Sequence, residues 1–393
     1  MKPLAGIRIL DFTWAQQGPY ATVMLSDMGA EIIKIEHREG ERGRWAASGQ
    51  PQPVPYFVAH DRGKNSVTLD VRKPEARAVV MKFVERVDVV VSNMRPGAMS
   101  KLGLAYDDLR TANDQIIYAR ASAFGPNGER TTLPGNDIIG QANGGIMTKT
   151  GPPGSQPMPA GAAIADQIGA MHLCTGILGA LVHRERNGEG CEVDVSLYGS
   201  QIALQAWEID TESMLGETSE KVGPGHPLIT PRGVWRAFET ADGHIVLGGV
   251  NTPRFKGLCK SMGLPELADA YPNDLARAEG IDDIFASLEA RFGQEPTDYW
   301  LPRFERHDVI GAAVQSYGDI LRDPQARANG YVTPVEHPHY GTIEIVGSAI
   351  QYNGEPTVLQ GPPPELGAHT ETYLEELGYS WDEINALREA EVI

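Results

Sequence analysis

The chain has 393 residues, of which 41% are hydrophobic and 22% charged, and its formal net charge is −18. That length and balance exclude a disordered chain and suit two or three domains with at least one sizeable core. The acidity argues against nucleic acid or an anionic membrane as the partner, and no apolar run reaches the roughly 20 residues needed to span a bilayer.

The opening MKPLAGIRILDF reads as a first strand rather than a signal peptide. IRILDF (7–12), EIIKIE (31–36), SVTLD (66–70), DVVVSN (88–93), QIIYARAS (115–122) and EVDVSL (192–197) are short β-rich runs that predict strands. Between them PYATVMLSDMG, PEARAVVMKFVERV and YDDLRTAN have helical spacing, two of them opening on Pro. This alternation predicts a parallel, Rossmann-like doubly wound sheet in a large α/β domain. GPPGSQPMPAG (151–161) reads as a loop leading into a long helix.

Residues 208–232 read as a linker rich in Gly, Pro, Thr and Glu. VWRAFETADGHIVLGGV then predicts a hairpin about Asp242 and Gly243, followed by helices at RFKGLCKSMG, DDIFASLEARFG and TDYWLPRFERH. These make a smaller α+β domain. YVTPVEH and GTIEIVG predict two more strands, and SWDEINALREAEV a final helix opened by a Ser380–Glu383 capping box. The expected division is 1–207, a linker 208–232, 233–324, and a return segment 325–393 that completes the first domain.

Cys174, Cys191 and Cys259 are few, odd in number and not spaced for a metal, which fits a reducing, cytoplasmic setting. The charge is uneven: residues 1–110 hold 16 Lys/Arg against 13 Asp/Glu, and the remainder 18 against 39. A mildly basic amino-terminal part suits an anionic small molecule. After the first strand TWAQQGPYAT contains no G-x-G-x-x-G, which counts against a nicotinamide or flavin cofactor. No Walker loop, nucleophile elbow or zinc spacing appears. The HPH of His337 and His339 reads as surface sequence.

The long helix carries the one carboxylate between Asp137 and Glu185, Asp166, in GAAIADQIGAMHLCTGILGAL. A lone carboxylate in an apolar helix is costly unless used or paired, and first-turn N–H groups favour its ionised form. It is a candidate oxygen nucleophile. Taken alone, the segment reads first as a capping carboxylate.

PLAGIRILDFT…GPYATVMLSDMGAEIIKIE, RGKNSVTLDVRKPEAR, VVVSNMRPGAMSKLGL, GAAIADQIGAMH and RNGEGCEVDVSL together resemble the class III coenzyme A transferases. TADGHIVLGGV, LRDPQARANG and LGAHTETYLEELGYSWDEINALR extend the resemblance over nearly the whole chain. It implies an enzyme moving CoA from an acyl-CoA to a free carboxylic acid through a covalent intermediate on Asp166. No cofactor is held covalently at rest, and CoA is a cosubstrate. Gln16 matches a glutamine that stabilises the intermediate. Gln17 stands where a small residue is usual and would touch the CoA end.

His37, Arg38, Leu69, Asp70, Val71, Arg72, Asn93, Met94, Arg95 and Lys101 match CoA-lining segments, with Arg72, Arg95 and Lys101 the expected phosphate contacts. His37 replaces an arginine of some relatives, and Arg38 stands beside it. Trp45 matches a pocket tryptophan, and Gly248 and Gly249 a loop that shields the intermediate. Asn136, placed with the CoA site, replaces an aromatic residue of transferases and the histidine of related racemases. Being unable to titrate, it argues against the alternative of an acyl-CoA racemase. A non-catalytic CoA-binding subunit is opposed by the presence of Asp166 and Gln16. The resemblance also implies an interlocked, ring-like homodimer, with pairing to a paralogous subunit as the alternative.

Overall fold

A computed structural model describes residues 1–44, 54–216, 219–337 and 340–393. The chain divides into two compact units, one made of 1–144, 162–204 and 321–393, the other of 145–161 and 205–320.

The first unit is built on six parallel strands: β1 (Arg8–Asp11), β2 (Glu31–Glu36), β3 (Asn65–Thr68), β4 (Val89–Ser92), β5 (Ile117–Ser122) and β6 (Glu192–Ser196). Their order is β3-β2-β1-β4-β5-β6, so the direction of winding reverses between β1 and β4. In such sheets ligands gather outside the strands' carboxyl ends at that reversal. The connecting helices are α1 (Gln17–Asp27), α2 (Pro55–Asp61), α3 (Pro74–Val84), α4 (Ala98–Lys101), α5 (Tyr106–Arg110), α6 (Asp137–Gly144), α7 (Ile164–Asn187) and α8 (Leu197–Leu204).

Side-chain alternation along each strand supplies two cores, one per face. Leu10, Ile33, Val67 and Val90 meet the apolar stripe Ala76, Val79, Val80, Phe83 of α3, together with Leu374 and Ile384 from the end of the chain. Ile9, Ile32, Val89 and Ile117 face α1 and the Ala170, Leu173, Cys174, Ile177 side of α7. At 24 residues α7 is long and apolar enough to cross a membrane, contrary to the count of apolar runs above. Its buried side chains belong to this core.

A hairpin of β10 (Val332–His337) and β11 (Gly341–Val346) follows in the same unit. His337, expected at the surface, is 4% exposed and packs against the Tyr340 ring; His339 lies outside the described residues.

The second unit carries β7 (Arg236–Glu239), β8 (His244–Leu247) and β9 (Gly311–Ala313), an antiparallel sheet. Glu239 pairs with His244 across the expected Asp242–Gly243 turn. Phe238, Phe255, Phe292, Trp300 and Phe304 fill its core. The segment read as a linker opens instead with α9 (Ala206–Leu215), a helix with no fully buried residue and no apolar stripe to announce it.

Candidate active site

The turn from β1 into α1 is held from three sides. Thr13 donates its N–H and hydroxyl to Asp11 Oδ1 at 2.7 and 2.5 Å. Lys34 Nζ donates to the Thr13 carbonyl at 2.9 Å. Asn93, just past β4, accepts the Trp14 N–H at 3.0 Å and donates to the Trp14 carbonyl at 2.6 Å. Between these clamps Ala15 takes φ 67°, a left-handed conformation that costs a non-glycine residue about 1–2 kcal/mol. The backbone thus delivers Gln16 and Gln17 at the start of α1.

Beneath the turn lies a buried ionic cluster. Lys64 Nζ reaches Asp11 Oδ2 at 3.1 Å and Asp61 Oδ1 at 2.8 Å, while Lys34 Nζ reaches Glu41 at 2.8 Å and Asp61 at 3.1 Å. Burial alone would raise the Asp11 pKa, but Lys64 and Lys34 override it and hold the carboxyl down to about 2.

Gln17 is buried and packs on Gly169, where a Cβ would stand 2.7 Å from its Nε2. That contact brings the turn against the first turns of α7, three residues past Asp166. Among the described residues Gln17 Nε2 has no hydrogen-bond partner. Gln16 is half-buried, with Nε2 3.3 Å from Nε2 of His60 on α2.

Asp166 sits in the first turn of α7. Among the described residues no side chain pairs with its carboxylate. The helix N-terminus does not hold it ionised, because Asp137 of α6 takes the exposed donors. Asp137 Oδ1 accepts the Ala165 N–H at 2.8 Å and the Asp166 N–H at 3.2 Å, and its Oδ2 accepts from Gln141 at 2.6 Å. Burial first, and then the Asp137 charge, push the Asp166 pKa up to about 7. Tyr56 of α2 lies near enough for the Asp166 charge to add to burial in raising its own pKa.

The other segments gather at the same edge of the sheet. His37 and Arg38 follow β2, Leu69 to Arg72 follow β3, and Asn93 to Arg95 follow β4. Arg72 Nε donates to Asp70 at 2.7 Å and its Nη2 meets His37 Nε2, so the Asp70 pKa falls to about 2. Arg38 pairs with Glu391 at 3.3 Å. His37, Arg38, Asp70, Arg72 and Lys73 line a recess of ≈ 450 Å³.

Met94 and Arg95 line a separate cavity of ≈ 380 Å³ with Tyr106, Arg120 and Asp194. Leu69 is buried in the core and Val71 packs beside it. Lys101 is exposed at the end of α4. Asn136 is exposed, with its carbonyl accepting the Gly140 N–H at 3.0 Å as α6 begins.

In the second unit Gly248 packs against the Trp235 ring and Gly249, at φ +63°, against Ile310. Trp45 lies outside the described residues.

A family model described as CoA-transferase family III matches residues 4–370. The chain belongs to that family. A succinyl-CoA:glutarate CoA-transferase of Mus musculus is 34% identical, covering 96% of this chain and 87% of that protein. A succinyl-CoA:mesaconate CoA-transferase of Haloarcula hispanica is also 34% identical, covering 96% and 97%. The crystal structure of a CaiB/BaiF family protein from Brucella suis superposes with a TM-score of 0.85 at 28% identity, over 95% of this chain and 99% of that one. The protein is therefore a class III CoA-transferase, transferring CoA between an acyl-CoA and a carboxylic acid.

Sequence reasoning about this transferase missed Asp137, Tyr56 and His60. Asp137 stands beside Asn136, and no local pattern announces that it reaches the Ala165 and Asp166 N–H groups. The signal for α2 was Pro55 in the first helical turn of VPYFVAHD.

Proposed function

We propose that the transferase works through a covalent relay on Asp166, with Gln16 stabilising the oxyanions. A carboxylate oxygen of Asp166 attacks the donor thioester carbon, and the C–S bond breaks to release CoA thiolate. The thiolate attacks Cγ of the resulting acyl–aspartyl anhydride, expelling the donor acid and leaving aspartyl-CoA. The acceptor carboxylate then attacks Cγ and frees the thiolate again. Attack of that thiolate on the acceptor's carbonyl gives the new acyl-CoA and returns the Asp166 carboxylate. One carboxylate enters and one leaves, so no net proton is exchanged.

The observation that carries this reading is a half-buried Asp166 carboxylate without a partner among the described residues, its pKa near 7. A basic, poorly solvated carboxylate is a better nucleophile than an exposed one, and at neutral pH a large fraction is ionised. In the same reading Arg72, Arg95 and Lys101 take the CoA phosphates, with His37, Arg38 and Lys73 grouped around Arg72 and with Arg95 in the separate cavity. We further infer a cytoplasmic dimer, supported by the family resemblance and the cysteine usage.

The relatives named for succinyl-CoA with glutarate or mesaconate make short dicarboxylic acids the first acceptors to screen. Incubation with an acyl-CoA, trapping by hydroxylamine or borohydride and peptide mass spectrometry should place the modification on Asp166. Asp166→Ala should abolish both label and turnover. Label on another residue, or turnover by the Ala variant, defeats the reading.

A further inference from the structure

We propose that His60 is the positioning residue for Gln16, deciding which side of the Gln16 carboxamide faces the reacting carbonyl; this rests on the oxyanion role given to Gln16 above. The assignment follows from the two ring nitrogens. His60 Nδ1 lies 2.8 Å from the Tyr56 carbonyl oxygen, one helical turn back in α2. A carbonyl only accepts, so Nδ1 carries the proton. Burial holds the imidazole pKa below its ordinary value, which leaves the ring neutral at pH 7 and Nε2 a bare lone pair.

The group 3.3 Å from that lone pair is the Gln16 amide, which must present N–H rather than C=O. One N–H is then held by His60, and the directions of the second N–H and of Oε1 are fixed with it.

The ring cannot turn away easily. His60 is 5% exposed, with the Tyr20 ring at 6.1 Å and the Tyr56 ring at 4.7 Å between centroids. Gln16 has no such constraint of its own, because the terminal torsion of a glutamine is broad and roughly two-fold. Freed from His60, the amide turns over, and its oxygen replaces an N–H opposite the developing oxyanion. A donor becomes a repulsive acceptor in those molecules. The loss falls on the transition state and not on the binding of acyl-CoA.

The test is a double-mutant cycle, using the donor and acceptor pair that turns over fastest in the acid screen. His60→Phe keeps a ring between Tyr20 and Tyr56 but removes both nitrogens. It should lower kcat about tenfold with KM for acyl-CoA little changed, the size of one lost hydrogen bond. His60→Gln, whose amide oxygen offers an acceptor in place of the ring nitrogen, should recover part of that loss. Gln16→Ala should lose about 100-fold, as removal of an oxyanion donor does. Adding His60→Phe to Gln16→Ala should cost nothing further.

Losses that multiply in the double variant overturn the proposal, since His60 would then act independently of Gln16. An unchanged kcat in His60→Phe beside a slow Gln16→Ala overturns it while leaving the Gln16 role intact. A fully active Gln16→Ala instead removes the oxyanion role beneath it. If the Phe variant folds poorly, His60→Leu carries the same cycle.

Discussion

Asp166 is kept at the margin of ionisation by two features of its surroundings, and both have measurable consequences. An ordinary aspartate titrates near 3.8, and here burial and Asp137 move the group to about 7. Between those values the folded protein binds a proton that the unfolded chain does not, so this group's contribution to stability falls as pH rises. Above pH 7 the ionised side chain costs up to about 4 kcal/mol, from roughly 1.4 kcal/mol per unit. Asp166→Asn removes the charge at nearly constant shape. It should raise the thermal midpoint at pH 8 by several degrees and bring little gain at pH 4. An equal gain at both pH values would mean that the carboxylate is not strained by its site. Under the proposed relay on Asp166, the same pKa predicts a wild-type transfer rate that rises with pH through about 7, because the protonated acid is no nucleophile.

At the scale of elements, the site depends on how closely α6 meets α7. Gly140 of α6 is buried, and a Cβ there would stand 2.8 Å from the Ala165 Cβ and 3.0 Å from the Leu197 Cβ. Those are rigid neighbours, so a larger residue must move a helix. Gly140→Val should cost about 3 kcal/mol by overpacking. It should also lengthen the 2.8 Å contact from Asp137 to the Ala165 N–H, displacing Asp166. A denaturation midpoint and kcat measured on the same sample check this. Loss of stability with an unaltered kcat would separate the α6–α7 contact from catalysis.

This scale also marks where the sequence stopped being legible. Strands such as β4 were readable because an apolar run like VVVS buries both faces, and β6, half-buried after its exposed first residue, because Val alternates with acidic residues in EVDVS. Asp166 was readable because it is the lone carboxylate in the apolar run GAAIADQIGAMHLCTGILGAL. The residues that tune it were not, since α2 and α6 are short helices fixed by tertiary packing, and Asp137 reaches Ala165 across 28 positions of chain. No periodicity encodes such a contact. The helix at the start of the expected linker was illegible for a related reason: α9 has neither a buried stripe nor a side-chain cap.

At the scale of the whole molecule, the larger unit gathers the residues of the proposed site where four strands end, and a buried charge cluster fastens three of them together. Asp11 ends β1, Lys34 lies in β2, Lys64 immediately precedes β3, and Asp61 ends α2. Such clusters stabilise little in total, but removing one partner strands the others. Lys64→Met keeps the apolar stem and deletes the charge, leaving Asp11, Asp61 and Glu41 to share Lys34. At pH 7 the expected loss is about 3–5 kcal/mol, read from urea unfolding.

The sign of its pH dependence identifies the cause. In the wild type the depressed Asp11 pKa contributes stability above pH 3.8 that disappears as pH falls toward 2. Without Lys64 that carboxyl titrates higher, so the folded variant takes up its proton at a pH where the wild type does not. The variant's deficit should therefore be widest at pH 7 and narrow as pH falls toward 4. A deficit independent of pH would show that Lys64 matters for its packing alone, and that the turn bearing Gln16 is not held by charge.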